Sequence, residues 1–194
     1  MNILLDKLPT AVEVGGKMYD INADFRTGIR LEMTAVSELD DTEKLMQILL
    51  LYYGDIACVG AAFTAVMNFY HCNKDNSLQG GTATNRRTQI YSFEHDAPYI
   101  YAAFLEQYGI DLTQEHDLHW WRFKAMFDSL SEKTQFVKIM GYRSMTITKD
   151  MSPQQKEFYR RMQKTYAIPV SKTEREKTTA LEQALLNGGD LTGL

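Results

Sequence analysis

Cysteine is scarce in this chain: only Cys58 and Cys72 occur in 194 residues. That scarcity excludes a scaffold stapled by several disulfides. The two thiols fall within what reads as a single helix, where a rise of 1.5 Å per residue would separate them by roughly 21 Å, far beyond disulfide reach. They are expected to be reduced, partly buried thiols of a cytoplasmic protein. His71 is adjacent to Cys72 in sequence, but adjacent helical residues do not face each other, so no thiol–base pair is implied. Long apolar runs are missing too. The longest, Leu45 to Tyr53, is about half a membrane span. The opening MNILLDKLPTAVEV is too weakly apolar, and too soon interrupted by Pro9, to read as a signal peptide. There is no excess of positive charge either. The formal net charge is -4, which argues against bulk phosphate binding, although local basic patches are compatible with it. Internal repeats, low-complexity tracts, a phosphate loop, a dinucleotide fingerprint and a Gly-x-Ser-x-Gly elbow are all absent.

What is present is ordinary soluble composition with a large aromatic load. Hydrophobic residues make up 44% and charged residues 24%, with 11 Tyr, 9 Phe and 10 Met. A globular chain of this length buries roughly 70% of the surface it exposes when unfolded, so a substantial core is feasible.

Patterning predicts a mainly α protein: a helical bundle in two lobes with a small N-terminal β-hairpin. Ala11–Val14 and Lys17–Ile21 flank Gly15-Gly16, a two-residue link in which both positions tolerate positive φ. Asp24 then caps a helix carrying Phe25, Ile29 and Met33. A second helix opens near Asp41-Thr42-Glu43, and its wide apolar face implies burial on more than one side. A third runs from Ile56 to about Cys72, with Phe63, Met67 and Tyr70 on one face. Residues 1–72 thus form a hairpin plus a helical lobe. Residues 73–89 hold no apolar period, contain Gly-Gly and Arg-Arg, and read as a linker.

Residues 90–143 form the aromatic core lobe. Ile90, Phe93, Ala97, Ile100, Tyr101, Phe104 and Tyr108 follow helical spacing up to Gly109. Pro98 should kink that helix or displace its start, with Asp96 as cap. The next helix, Leu118 to Leu130, aligns Trp120, Phe123, Phe127 and Leu130, with Trp121 and Ala125 beside them; a shorter one follows from Thr134 to Gly141. Residues 144–194 comprise C-terminal helices and a mobile tail. Ser152-Pro153 opens a helix with Phe158, Met162 and Tyr166 on one side. Thr173–Leu186 is charged and sparsely anchored.

Chemistry-bearing clusters each have a plainer reading. His116 and His119, at i and i+3 around Asp117, have a spacing that suits two metal ligands, but a site needs more ligands, and capping at a helix start is the favoured reading. Glu94-His95-Asp96 is likewise read as capping rather than acid–base machinery. Arg86-Arg87 and the Lys156, Arg160, Arg161, Lys164 set are read as solvated faces in preference to phosphate contacts. No cofactor, no metal and no catalytic constellation is implied, and an enzyme is the least favoured class.

Several blocks of sequence resemble a known family. Leu8-Pro9, Val12, Gly16, Tyr19, Ile21-Asn22 and Asp24-Phe25-Arg26 are similar to the opening of the gene-product-fifteen family of siphophages of Gram-positive bacteria. So are Ser92-Phe93-Glu94, Asp96-Ala97, Tyr99–Phe104, Tyr108–Leu112, Leu118–Phe123 and Ile139–Arg143. The resemblance runs from about Leu8 to Arg143. It implies a role in tail morphogenesis, since genes of this family usually lie just upstream of the tape-measure gene, beside a smaller tail gene. The implied activity is that of a tail-assembly chaperone in the host cytoplasm, coating the tape-measure protein and helping to recruit the tail-tube subunit, with the neighbouring small tail protein as a further partner. The alternative is a minor structural tail or connector component retained in the virion. Nucleic acid is a disfavoured partner, membrane is excluded as one, and a homo-oligomer is open. Contacts to a client would come from aromatics that the core does not consume. Trp121 and Tyr142 are the candidates, in preference to Trp120 and Phe123, with Arg143 as an ordering contact. Residues 171–194 and the linker are expected to supply a second contact, to tube subunits.

Overall fold

Two adjacent glycines set the start of the fold. In the computed structural model, which describes residues 2–54, 58–73 and 89–169, Gly15 and Gly16 have φ of +59° and +80°. These left-handed conformations reverse the chain in two residues. Strand β1 (Ala11–Val14) therefore pairs antiparallel with β2 (Lys17–Asp20), in a register running from Ala11 opposite Asp20 to Val14 opposite Lys17. A lone hairpin is marginal in water. This one is held by Val14, which is buried with Leu49 and Ala62 of the helices behind it.

Among the described residues seven helices follow: α1 (Phe25–Ala35), α2 (Asp41–Tyr53), α3 (Val59–Tyr70), α4 (Ala97–Tyr108), α5 (Trp120–Asp128), α6 (Gln135–Ser144) and α7 (Pro153–Thr165). The protein is mainly α, with this hairpin as the one sheet among the described residues. Most helix starts carry the side-chain acceptor that their first N–H groups require. Asp24 accepts from the Arg26 N–H and Thr134 from that of Val137. Asp40 with Glu43, and Ser152 with Gln155, close reciprocal capping boxes. Gly109, at φ +65°, ends α4 in the left-handed conformation that glycine adopts without a Cβ penalty.

Helix α4 begins only at Ala97, the displaced start expected from Pro98, which is favoured in a first turn and has no N–H to offer further along. Other local expectations are corrected. Asp96 stands at the N-cap position but makes no side-chain cap bond, being turned toward Arg143 instead. Helix α2 packs into both clusters, through Ile48 and Tyr52 in one and Leu49 in the other, and turns Met46 and Leu50 outward, 54% and 65% exposed. In α3 the deepest positions are Ala62, Val66 and Phe69 rather than Phe63, Met67 and Tyr70, which pack partly buried beside them. Most of the 73–89 linker, Arg86-Arg87 and the expected 173–186 helix lie outside the described residues.

The core is an aromatic column centred on Phe123, which is fully buried. Its ring stacks on Phe104 at 5.0 Å, Phe25 at 5.1 Å and Trp120 at 5.7 Å. Such offset pairs add to the stabilisation from burial itself. Phe69 and Trp121 join the same cluster, so residues from before and after the 73–89 stretch share one core. A Glu32 carboxylate at the edge of α1 accepts from the Tyr70 hydroxyl at 2.7 Å. Burial first, and then the charge of Glu32, push the phenols of Tyr70 and Tyr91 well above their usual range.

Candidate functional site

The paired indoles of α5 terminate α3. The final carbonyls of a helix have no intrahelical donor. Here the Trp120 indole N–H donates to the Tyr70 carbonyl at 2.8 Å and the Trp121 indole N–H to the Phe69 carbonyl at 2.8 Å. Trp120 is wholly buried, stacked on Tyr70 at 5.0 Å, and lies flat against Gly28 of α1. A Cβ at position 28 would sit 2.2 Å from the Trp120 ring. Trp121 is only 5% exposed. The expectation that the core leaves Trp121 free is therefore corrected: packing on Phe69 at 5.7 Å and the carbonyl bond both hold it inside.

His119 and Arg26 fasten the segments around this pair. The His119 Nδ1 accepts from the Trp121 backbone N–H at 3.0 Å, which caps α5, and its Nε2 lies 2.9 Å from the Pro9 carbonyl. With one nitrogen accepting and the other donating, the ring is held in its neutral Nε2–H form. Burial lowers its pKa, the bond to Pro9 opposes that shift, and the nearby Arg122 adds to it. The Arg26 guanidinium donates to the carbonyls of Leu112 and Glu115 at 2.9 and 2.8 Å, lies 4.5 Å over Phe25, and approaches Asp24 at 3.5 Å. Both residues are committed to structure.

Arg143 is an ordering contact of unusual reach. Its side chain is 8% exposed and forks onto Asp96, itself 2% exposed, at 2.6 and 2.9 Å. The same guanidinium donates to the carbonyls of Ile90 at 3.0 Å and Tyr166 at 2.6 Å. Asp96 also accepts from the Ser92 N–H at 2.9 Å. One arginine thus joins the start of α4, the last turn of α6 and the end of α7. Bidentate geometry with further donors placed on carbonyls is the arrangement in which a buried pair is tolerated.

Tyr142, next to it, faces outward to α7. It is half-buried, stacked on Tyr166 at 6.1 Å and edge-on to Phe158 at 5.9 Å. Helix α7 contributes no buried residue, and Phe158 is 38% exposed. The side chain of Gln163 donates to the carbonyls of Tyr142 and Met145, finishing α6 as Arg143 finishes α7. The result is a partly exposed aromatic face on a helix held at its ends by polar bonds.

The remaining candidates stay apart. Glu94 and His95 are exposed while Asp96 is committed to Arg143. Among the described residues no group of three or more His, Cys, Asp or Glu could hold a metal ion. Cys58 and Cys72 flank α3 at opposite ends. A cleft of about 340 Å³ lies between the hairpin and the end of α3, bordered by Val12, Met18, Asn68 and Phe69. A second, of about 260 Å³, is bordered by Ile21, Asp24, His116 and His119. Both are open to solvent, and in the second Asp24 and His119 are already hydrogen-bonded, to the Arg26 N–H and to Trp121 and Pro9. No described helix is long and apolar enough to cross a membrane.

Comparison with protein families decides the relationship. The family described as Bacteriophage Gp15 protein matches residues 4–168. The chain belongs to the Bacteriophage Gp15 protein family. The match takes in the hairpin and all seven described helices. No curated protein and no solved structure matches the chain. For this Gp15 family member, sequence spacing missed Gly28 and the pairing of Asp96 with Arg143. Nothing in a periodicity marks which aromatic ring lies over a glycine, or which of many acids meets a given arginine 47 residues away.

Proposed function

We propose that this phage protein is a tail-assembly chaperone that binds the tape-measure protein through the exposed aromatic face formed by Tyr142, Phe158 and Tyr166. The observation that carries the reading is that face: three rings meet between α6 and a helix that contributes no buried residue of its own. A long, helix-prone client requires cover that tolerates many registers, and a shallow aromatic groove provides that better than a deep pocket. Arg143 holds the ends of α6 and α7 and so sets the spacing of the rings. In this reading the protein acts by binding in the host cytoplasm, without catalysis, and the tail-tube subunit and a neighbouring small tail protein are secondary partners.

The test is co-expression with the tape-measure protein of the same phage, comparing wild type with Phe158→Asp. Support consists of a tape measure that becomes soluble and co-purifies with wild type but not with the variant. A tape measure that stays insoluble beside well-folded wild-type protein would reject the reading and favour a component retained in the virion, to be sought by mass spectrometry of purified particles.

A further inference from the structure

Two faces of the molecule carry concentrated charge of opposite sign with no ion pair among the described residues. On α7, Lys156, Arg160 and Lys164 recur at i, i+4 and i+8, so they line one side of the helix over roughly 12 Å. At 100° per residue this stripe lies on the opposite side of α7 from Phe158, away from the proposed client face. None of the three makes an ion pair among the described residues. Residues 149–164 hold five cations against Asp150 and Glu157, a local charge of +3 in a chain whose net charge is -4.

The opposite charge gathers where α1 turns into α2. Glu38, Asp40, Asp41 and Glu43 fall within six residues that contain no cation, and none makes an ion pair among the described residues. Asp40 and Glu43 serve the capping box, and all four are exposed. Acids near a helix start are favoured by the helix dipole. That dipole does not account for what lies beside them. Glu43, Met46 and Leu50 recur at i, i+3 and i+7 and share one face, on which Met46 is 54% and Leu50 65% exposed. Val36, at the end of α1, is 63% exposed.

We infer that the cationic stripe of α7 docks on the acidic, apolar α1–α2 corner of a second copy of this chain. The chemistry of the two faces matches in detail. Lysine and arginine stems are apolar and would cover Met46 and Leu50, while their charged ends reach Glu38, Asp41 and Glu43. Because the two faces differ, each copy contributes both, either reciprocally across a two-fold axis or head-to-tail in a closed ring or open filament.

Sedimentation of the full-length protein tests this, at about 50 mM and about 500 mM salt, since exposed charge pairs are screened at the higher value. Concentration-dependent association at low salt, weakened at high salt, is expected. Arg160→Glu with Lys164→Glu, and separately Glu38→Arg with Asp41→Arg, should each weaken association roughly tenfold or more; combined in one chain they should restore it to within about threefold. Met46→Ser with Leu50→Ser, which leaves all charges in place, should also weaken it, and helical circular dichroism confirms that each variant is folded. A monomer at all concentrations in low salt, or association that neither charge reversal changes, would overturn the inference.

Discussion

Placing a methyl group at Gly28 should unfold this protein more readily than its position in a helix suggests. In an open helical site, glycine to alanine stabilises by about 1 kcal/mol through backbone entropy. At position 28 the new Cβ would lie 2.2, 2.4 and 2.6 Å from three carbons of the Trp120 ring. The ring has no free direction of retreat, because it is wholly buried, stacked on Tyr70 and Phe123, and tied by its N–H to the Tyr70 carbonyl. Overpacking of this kind costs about 1–3 kcal/mol, and breaking the indole bond leaves the part-buried Tyr70 carbonyl with only a weak thiol contact, at a further cost of about 1–3 kcal/mol. Net of the helix gain, Gly28→Ala should destabilise by about 1–5 kcal/mol. Gly60→Ala and Gly141→Ala are the controls: both positions are helical, with nothing within 4 Å of the added Cβ. They should be neutral or stabilising by up to about 1 kcal/mol. Urea denaturation followed by circular dichroism measures all three. A Gly28→Ala protein as stable as wild type, or no worse than the two controls, would refute the clash with Trp120.

The other perturbations follow from single groups. Trp120→Phe should cost about 1 kcal/mol more than Trp121→Phe in the same assay; the Phe69 carbonyl keeps the Cys72 N–H as a second donor, whereas the Tyr70 carbonyl retains only a weak thiol contact at 3.9 Å. Arg143→Ala strands a buried Asp96 carboxylate and should destabilise by about 3–5 kcal/mol, seen as a large fall in the urea midpoint. For His119 the folded pKa is lowered, so the unfolded chain binds the extra proton more readily. The His119 contribution is complete above its ordinary pKa of 6.5 and is lost as pH falls from there toward the lower folded value. A urea midpoint profile across that range should show the fall, and His119→Asn should flatten it.

Local chemistry made much of this fold legible in the sequence. Gly-Gly between β-favouring runs, Asp24 before an apolar spacing of four, and Ser152-Pro153 all act within a few residues, so the hairpin and the starts of α1 and α7 could be placed directly. Pro98 announced a displaced helix start without fixing where. Long-range pairing was not legible. Trp120 and Trp121 lie side by side in sequence, and spacing favoured one of them as core; both are buried because α3 ends in two carbonyls that accept both indoles. Asp96 resembled a cap because caps are local, whereas its partner, Arg143, arrives on another helix. Tyr142 and Arg143 were adjacent candidates, and the fold separates them by role: one turned to the α7 aromatics, the other into a buried ion pair.

Hydrogen exchange on the complex with the tape-measure protein tests the proposed client face most directly. Binding there should slow amide exchange along 142–166, with the largest change around Phe158, and leave the α1–α2 corner unchanged at a salt concentration that prevents self-association. A stable complex that protects other segments and leaves α7 exchanging as in the free protein would contradict the assignment.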